Sequence, residues 1–184
     1  MTQSIWGTQI VQCQFNADET WIDNIGVSCL IEHQKQGQLT TENHDIWNWD
    51  DEVVQSLKTM FQSGFREWVK VQGRDPEIIN DSHFQNAWAM AYEQGSFAPF
   101  HSHQLSDATA VFYPSNSEFE DLEIYDPRRV RQAMPREESI IRFQPKKGLL
   151  LVFPGYLWHR VPPYKGKEPR LCIVANLNYS RKLI

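Results

Sequence analysis

From Asn86 onward the chain is cut into short apolar or alternating segments by turn residues, roughly every 8–12 positions. Asn86–Tyr92 alternates and stops at Glu93-Gln-Gly-Ser96. Phe97–Gln104 follows, then Ala108–Tyr113 before Pro114, and Leu122–Tyr125 before Asp126-Pro127. Ser139–Phe143, the strongly apolar Leu149–Phe153, Trp158–Val161 and Arg170–Asn178 complete the series. Segments this short and this evenly interrupted do not build a parallel sheet with crossover helices. They predict an antiparallel sandwich or jelly roll, with Leu149–Phe153 as a buried central strand.

The first 80 residues have a different character. Residues 5–15 alternate well enough for one strand. Asp18 then precedes Trp21, Ile22, Ile25, Cys29 and Leu30, which recur at helical spacing up to about Gln34. Residues 35–49 are polar, with Trp47 and Trp49 embedded, and read as a loop. The clearest helix starts at a cap on Asp50 or Asp51. It carries Val53, Val54, Leu57, Met60, Phe61, Phe65, Trp68 and Val69 on one stripe and stops at Gly73. Such a stripe predicts packing on the outside of a sheet. The fold expected is therefore mainly β with two N-terminal helices packed outside. It forms one domain over 1–184, helical over residues 1–80 and with a jelly-roll core over residues 81–184.

No apolar run approaches the roughly 20 residues of a membrane span. The N-terminus lacks the basic and apolar regions of a signal peptide. Cys13, Cys29 and Cys172 are odd in number and far apart, which predicts reduced thiols and a cytoplasmic location. A net charge of −5 argues against wrapping duplex nucleic acid. Residues 128–147 nevertheless hold Arg128, Arg129, Arg131, Arg136, Arg142, Lys146 and Lys147 against Glu137 and Glu138. That stretch is either a solvated loop offsetting Glu118, Glu120, Asp121 and Glu123, or a basic rim that draws in an anionic substrate.

His101 and His103 carry the chemical signal. On a strand, positions i and i+2 face the same way, so two imidazoles aim at one point. His159, from a later strand, would complete a three-point face on a metal ion and leave the other half of its coordination sphere open. Imidazole suits Fe, Zn, Cu or Ni, so the ligand type does not name the metal. His33, His44 and His83 have no such partner in the pattern and read as structural. Tyr156 and Trp158 read as wall packing.

Several motifs stand in a fixed order: Asn86-Ala-Trp, Tyr92-Glu-Gln-Gly-Ser-Phe, His101-Ser-His103, Val111-Phe-Tyr113, Asp126-Pro-Arg, Gly148-Leu-Leu-Leu-Val-Phe-Pro, His159-Arg-Val-Pro-Pro and Arg170-Leu-Cys-Ile-Val-Ala-Asn176. This series resembles the small phage- and bacteria-associated family of 2-oxoglutarate/Fe(II)-dependent oxygenases over roughly residues 80–178. The resemblance implies a double-stranded β-helix, the cupin-like jelly roll, and a dioxygenase that uses Fe(II) and 2-oxoglutarate, releases succinate and CO2, and hydroxylates a substrate. It makes His101 the first iron ligand and His159 the last. Arg170 would pair with the remote carboxylate of 2-oxoglutarate. Tyr113 would donate to the same group, Cys172 takes a position where many relatives have Ser, and Asn176 and Asn86 would face the barrel interior. Most of the superfamily has an acid two residues after the first histidine. Here His103 stands there, with Asp126 and Asp107 as alternative ligands.

Three readings remain open on these residues: a 2-oxoglutarate/Fe(II) oxygenase, a cupin-type three-histidine metalloenzyme without 2-oxoglutarate, and a non-catalytic binding module on the same fold. Arg170 separates the first two unless it is a surface ion-pair partner of Glu168. The substrate would be a small molecule or a side chain, segment 114–140 is a candidate lid, and the sequence is compatible with a homodimer through the N-terminal helices.

Overall fold

A computed structural model describes residues 2–5, 7–15, 23–24, 45–48, 52–80, 83–119, 122–128 and 139–179. Among these described residues, ten strands form two antiparallel sheets. They are β1 (Thr2–Ile5), β2 (Thr8–Gln14), β3 (Phe84–Tyr92), β4 (Ala98–His101), β5 (Ala108–Tyr113), β6 (Leu122–Tyr125), β7 (Ile140–Phe143), β8 (Leu149–Pro154), β9 (His159–Val161) and β10 (Arg170–Leu177). The major sheet has the order β1-β2-β8-β5-β10-β3, and the minor sheet β4-β9-β6-β7. From β3 onward the chain passes back and forth between the sheets, as β3, β5, β8 and β10 lie in one and β4, β6, β7 and β9 in the other. This is the jelly roll that the turn spacing predicts.

The single strand expected over residues 5–15 is two. The chain reverses at Gly7, which sits at φ +78, and Ile5 pairs with Thr8. The pairing sets positions of opposite parity, such as 5 and 8, on one face, so the alternation changes phase at the turn; the span 5–15 takes in only the last position of the first strand, and the break is not seen. The N-terminal region thus supplies two strands to the major sheet, and the boundary at residue 80 does not separate helices from strands.

The long helix α1 (Glu52–Val71) forms as expected, and Gly73, at φ +74, follows its last turn. Asp50, Asp51 and nearly all of the helix expected over 18–34 lie outside the described residues. The stripe Val54, Leu57, Phe61, Phe65 and Val69 packs on the outer face of the major sheet against Ala110, Phe112, Leu150, Val152, Ile173 and Ala175. The alternate residues Val111, Tyr113, Leu149, Leu151, Phe153 and Val174 point the other way, into the space between the sheets. With both faces covered, β8 and β10 are buried at every position, which explains why Leu149–Phe153 is apolar throughout.

Candidate metal centre

Two of the histidines come from the β4–β9 pair of the minor sheet. His101 ends β4 and lies directly opposite His159 in β9. Each ring is oriented by a main-chain carbonyl: His101 Nδ1 lies 2.6 Å from the Pro99 oxygen, and His159 Nδ1 lies 2.9 Å from the Leu157 oxygen. A carbonyl only accepts, so Nδ1 of each ring carries the proton and Nε2 keeps its lone pair for a metal.

His103 reaches the same point by a different route from the one expected. The strand stops at His101, and His103 sits in the turn that follows. Its N–H donates to the Gly155 oxygen at 2.8 Å, and its own carbonyl accepts from Ser106 N–H at 2.9 Å. Its ring lies nearly parallel to His159, with centroids 5.2 Å apart, and stacks on Trp88 at 5.7 Å. Gly155 makes this possible by close approach. A β-carbon there would stand 2.6 Å from the His103 oxygen and closer still to Ser106 O.

The donor atoms of the three rings lie within 4.8 Å of one another. One face of an octahedral ion needs nitrogens about 3 Å apart, given metal–nitrogen bonds of about 2.1 Å, so a small ring rotation closes the set. The site also holds two of the rings unprotonated. Burial, with the neighbouring His101, pushes His103 down to about 4; burial and the His101 charge push His159 down to about 3. Neutral imidazoles are what a transition-metal ion requires.

A cavity of about 270 Å3 opens from this cluster into the space between the sheets. Arg170, Cys172 and Val174 line it from alternate positions of β10, facing Tyr92, Met90 and Trp88 of β3 in register. Since Trp88 stacks on His103, the histidines mark one end of this ladder and Arg170 the other. Arg170 is 1% exposed, which removes the reading of a surface ion pair with Glu168. Its guanidinium carbon lies 4.3 Å from the Tyr92 ring centre, 5.7 Å from Tyr164 and 6.0 Å from Tyr113. Tyr113 and Cys172 also line the cavity, whereas Asn176 does not. Its amide is engaged by Thr109 and Asn86, at 2.9 and 3.2 Å.

Neither alternative carboxylate joins the cluster. Asp107 accepts from Tyr179 N–H at 2.8 Å, and Asp126 forms a two-pronged pair with Arg128 at 2.9 Å. Asp126-Pro-Arg is therefore a turn closed by an ion pair. Three of the described cations of the basic stretch are likewise engaged, Arg128 with Asp126, Arg142 with Glu123 and Lys147 with Asp23, while Lys146 is exposed. Most of the candidate lid lies outside the described residues. Residue patterns miss the tyrosines around Arg170, because Tyr92 and Tyr164 meet only after folding. They also miss Glu123, buried on the outer face of the minor sheet, which accepts from Arg160, Tyr125 and Arg142 and ties β9 to β6 and β7.

A jelly roll with three convergent imidazoles, an open coordination face and a buried guanidinium deeper in the cavity defines a mononuclear metalloenzyme of the double-stranded β-helix class. Residues 86–176 match the family described as "Putative 2OG-Fe(II) oxygenase". That span holds the whole ladder from Asn86 to Asn176, with all three histidines and Arg170, so the similarity to the 2OG-Fe(II) oxygenase family falls on the site itself. Fe(II) and 2-oxoglutarate are the cofactor and cosubstrate of this class, and the histidine donor set fits the ion. No curated protein matches the sequence. Among solved structures, a Pseudomonas putida prolyl-4-hydroxylase shares the fold with a TM-score of 0.62 at 14% identity, over 92% of this chain and 87% of that one. A viral collagen prolyl hydroxylase from Paramecium Bursaria Chlorella virus-1, in complex with 2OG, gives 0.63 at 13%, over 91% and 93%. The alpha-ketoglutarate-dependent carbocyclase SnoK from nogalamycin biosynthesis gives 0.65 at 11%, over 92% and 79%.

Proposed function

We propose that the chain hydroxylates a small molecule or a side chain, with His101, His103 and His159 as the iron ligands and Arg170 as the anchor of 2-oxoglutarate. The observation that carries this reading is the shared cavity, with three imidazoles at one end and a buried guanidinium at the other. When bound, Fe(II) with 2-oxoglutarate and dioxygen supplies oxidising power that converts the cosubstrate to succinate and CO2 and places an oxygen atom on the substrate.

The residues contribute orientation and exclusion of water. Pro99 and Leu157 carbonyls fix two of the rings. Arg170 presents two N–H edges to the distal carboxylate, and the three tyrosine faces hold the guanidinium in place while excluding water. Tyr113 lines the same cavity and would donate to that carboxylate. Cys172, with a weak S–H donor, grips it less firmly than a hydroxyl does. Prolyl hydroxylases and a carbocyclase share this fold, so the substrate is set by the cavity mouth rather than by the architecture. The odd number and wide spacing of the three cysteines support a cytoplasmic setting. No helix among the described residues is long and apolar enough to cross a membrane.

The test is anaerobic titration with Fe(II), with and without 2-oxoglutarate, watching for a visible charge-transfer band of the ternary complex. Arg170→Ala should abolish 2-oxoglutarate binding while iron binding survives. Unchanged 2-oxoglutarate affinity in that variant would leave a three-histidine metalloenzyme without this cosubstrate as the better reading.

A further inference from the structure

Among the described residues, the metal face contains no anion of its own. Among the described residues the cluster consists of His101, His103 and His159, with no carboxylate in it. The acids on neighbouring segments serve other partners, Asp107 the Tyr179 N–H and Asp126 the Arg128 side chain. Glu123 is bound to Arg142 and Arg160. An ion held here would meet three nitrogen donors and no carboxylate from the described residues.

Ligand chemistry then decides which ions the face prefers. Carboxylate oxygen suits Mg, Ca and Mn, whereas imidazole suits Zn, Cu, Fe and Ni. A face with one carboxylate offers a hard oxygen and removes one unit of charge, which favours the weakly nitrogen-binding Mn(II). Three imidazoles offer Mn(II) no such compensation. The third ring is also fixed in place, stacked on Trp88 and nearly parallel to His159, with its main chain tied to Gly155.

We propose that His103 is the metal-selectivity residue of this site, biasing it toward Zn(II), Ni(II) and Cu(II) and away from Mn(II). The proposal rests on the reading of the three histidines as metal ligands. It implies that Zn(II) is a strong competitor for the position that Fe(II) occupies in turnover.

The experiment measures dissociation constants of Mn(II) and Zn(II) for the metal-free full-length chain, by competition with a chromophoric chelator. Wild type is compared with His103→Glu, His103→Asp and His103→Ala, each checked for a wild-type circular dichroism spectrum. In at least one carboxylate variant the ratio of the Mn(II) constant to the Zn(II) constant should fall by at least about tenfold, with Mn(II) bound more tightly than by wild type. His103→Ala should weaken both ions. An absolute gain for Mn(II) cannot arise from damage to the fold. If the folded carboxylate variants keep the wild-type ratio, or lose both ions as the alanine variant does, the selectivity role is wrong while the site stands. If wild type binds neither ion, the ligand assignment itself falls, and the selectivity role with it.

Discussion

Replacing Gly155 with alanine tests whether the third ligand is really delivered by backbone contact. The new β-carbon would lie 2.6 Å from the His103 oxygen, and Ser106 O stands even closer. A carbon–oxygen contact settles at about 3.3 Å or more, so the 103–106 turn must retreat by roughly 0.7 Å at His103 and by more at Ser106. Both obstructing atoms are main chain, so no rotamer change relieves the clash. The shift breaks or lengthens the His103 N–H to Gly155 O bond and carries the imidazole with it. Metal–ligand distances tolerate only about 0.2 Å, so the ion keeps two good ligands and loses the third. We expect Fe(II) affinity to fall at least about tenfold, which is ~1.4 kcal/mol. Overpacking should cost the metal-free fold about 1–3 kcal/mol, or roughly 2–12 °C in Tm for a chain of this size. Anaerobic Fe(II) titration and thermal unfolding of the metal-free protein read the two effects separately. A folded Gly155→Ala protein with wild-type iron affinity would refute the argument that this close approach sets the third ligand.

Two further outcomes follow from the same geometry. Because His103 and His159 are held neutral, at about 4 and about 3 against an ordinary 6.5, the unfolded chain takes up protons first as pH falls. Metal-free stability should therefore be full above about pH 6.5 and decline through pH 4, by about 2 kcal/mol from each buried ring at pH 5, with solvent screening trimming the His103 share. Urea unfolding of the metal-free protein checks this, and a flat stability between pH 7 and 5 would contradict it. Glu123→Ala should cost about 2 kcal/mol, or some 4–8 °C in Tm, because it removes the carboxylate that Arg160, Arg142 and Tyr125 share. Glu123→Gln, which keeps the shape and loses the charge, should fall between wild type and alanine in the same melt; equal Tm values for all three would show the cluster to be idle.

Much of the architecture could be read from residue patterns because burial leaves a periodic trace. The stripe on α1 shows which face meets the sheet. The uniform apolarity of Leu149–Phe153 shows a strand covered on both sides, as β8 is. Contacts made by backbone geometry leave no such trace. The hairpin at Gly7 shifts the alternation by one position, but it falls at the start of the span 5–15, so β1 and β2 look like one strand. The i, i+2 argument for His101 and His103 reaches the right cluster, but His103 lies beyond the strand and owes its position to Gly155, fifty-two residues further on. In the sequence, Gly155 looks like an ordinary turn glycine after Pro154.

Arg170 shows the same division between what order reveals and what only packing supplies. Its place after His159 suggests a cation near the metal, but the same residue on a solvated strand end would be a weak, screened charge. Register changes that. Arg170 pairs with Tyr92 across β10 and β3, Tyr164 closes over it from the loop before β10, and Tyr113 stands on β5. Enclosure removes the water that would otherwise compete for the guanidinium, so an incoming carboxylate meets a stronger field at lower orientational cost. Along β10, Val174, the partner of the Trp88 that stacks on His103, lies four positions on from Arg170, which is about 13 Å of strand. The side chains reach inward from both ends of that interval, so the gap left for a bridging ligand is fixed by strand register rather than by a flexible loop. A rigid ruler of this kind is what a site needs in order to hold one end of a diacid on a metal and the other on a cation.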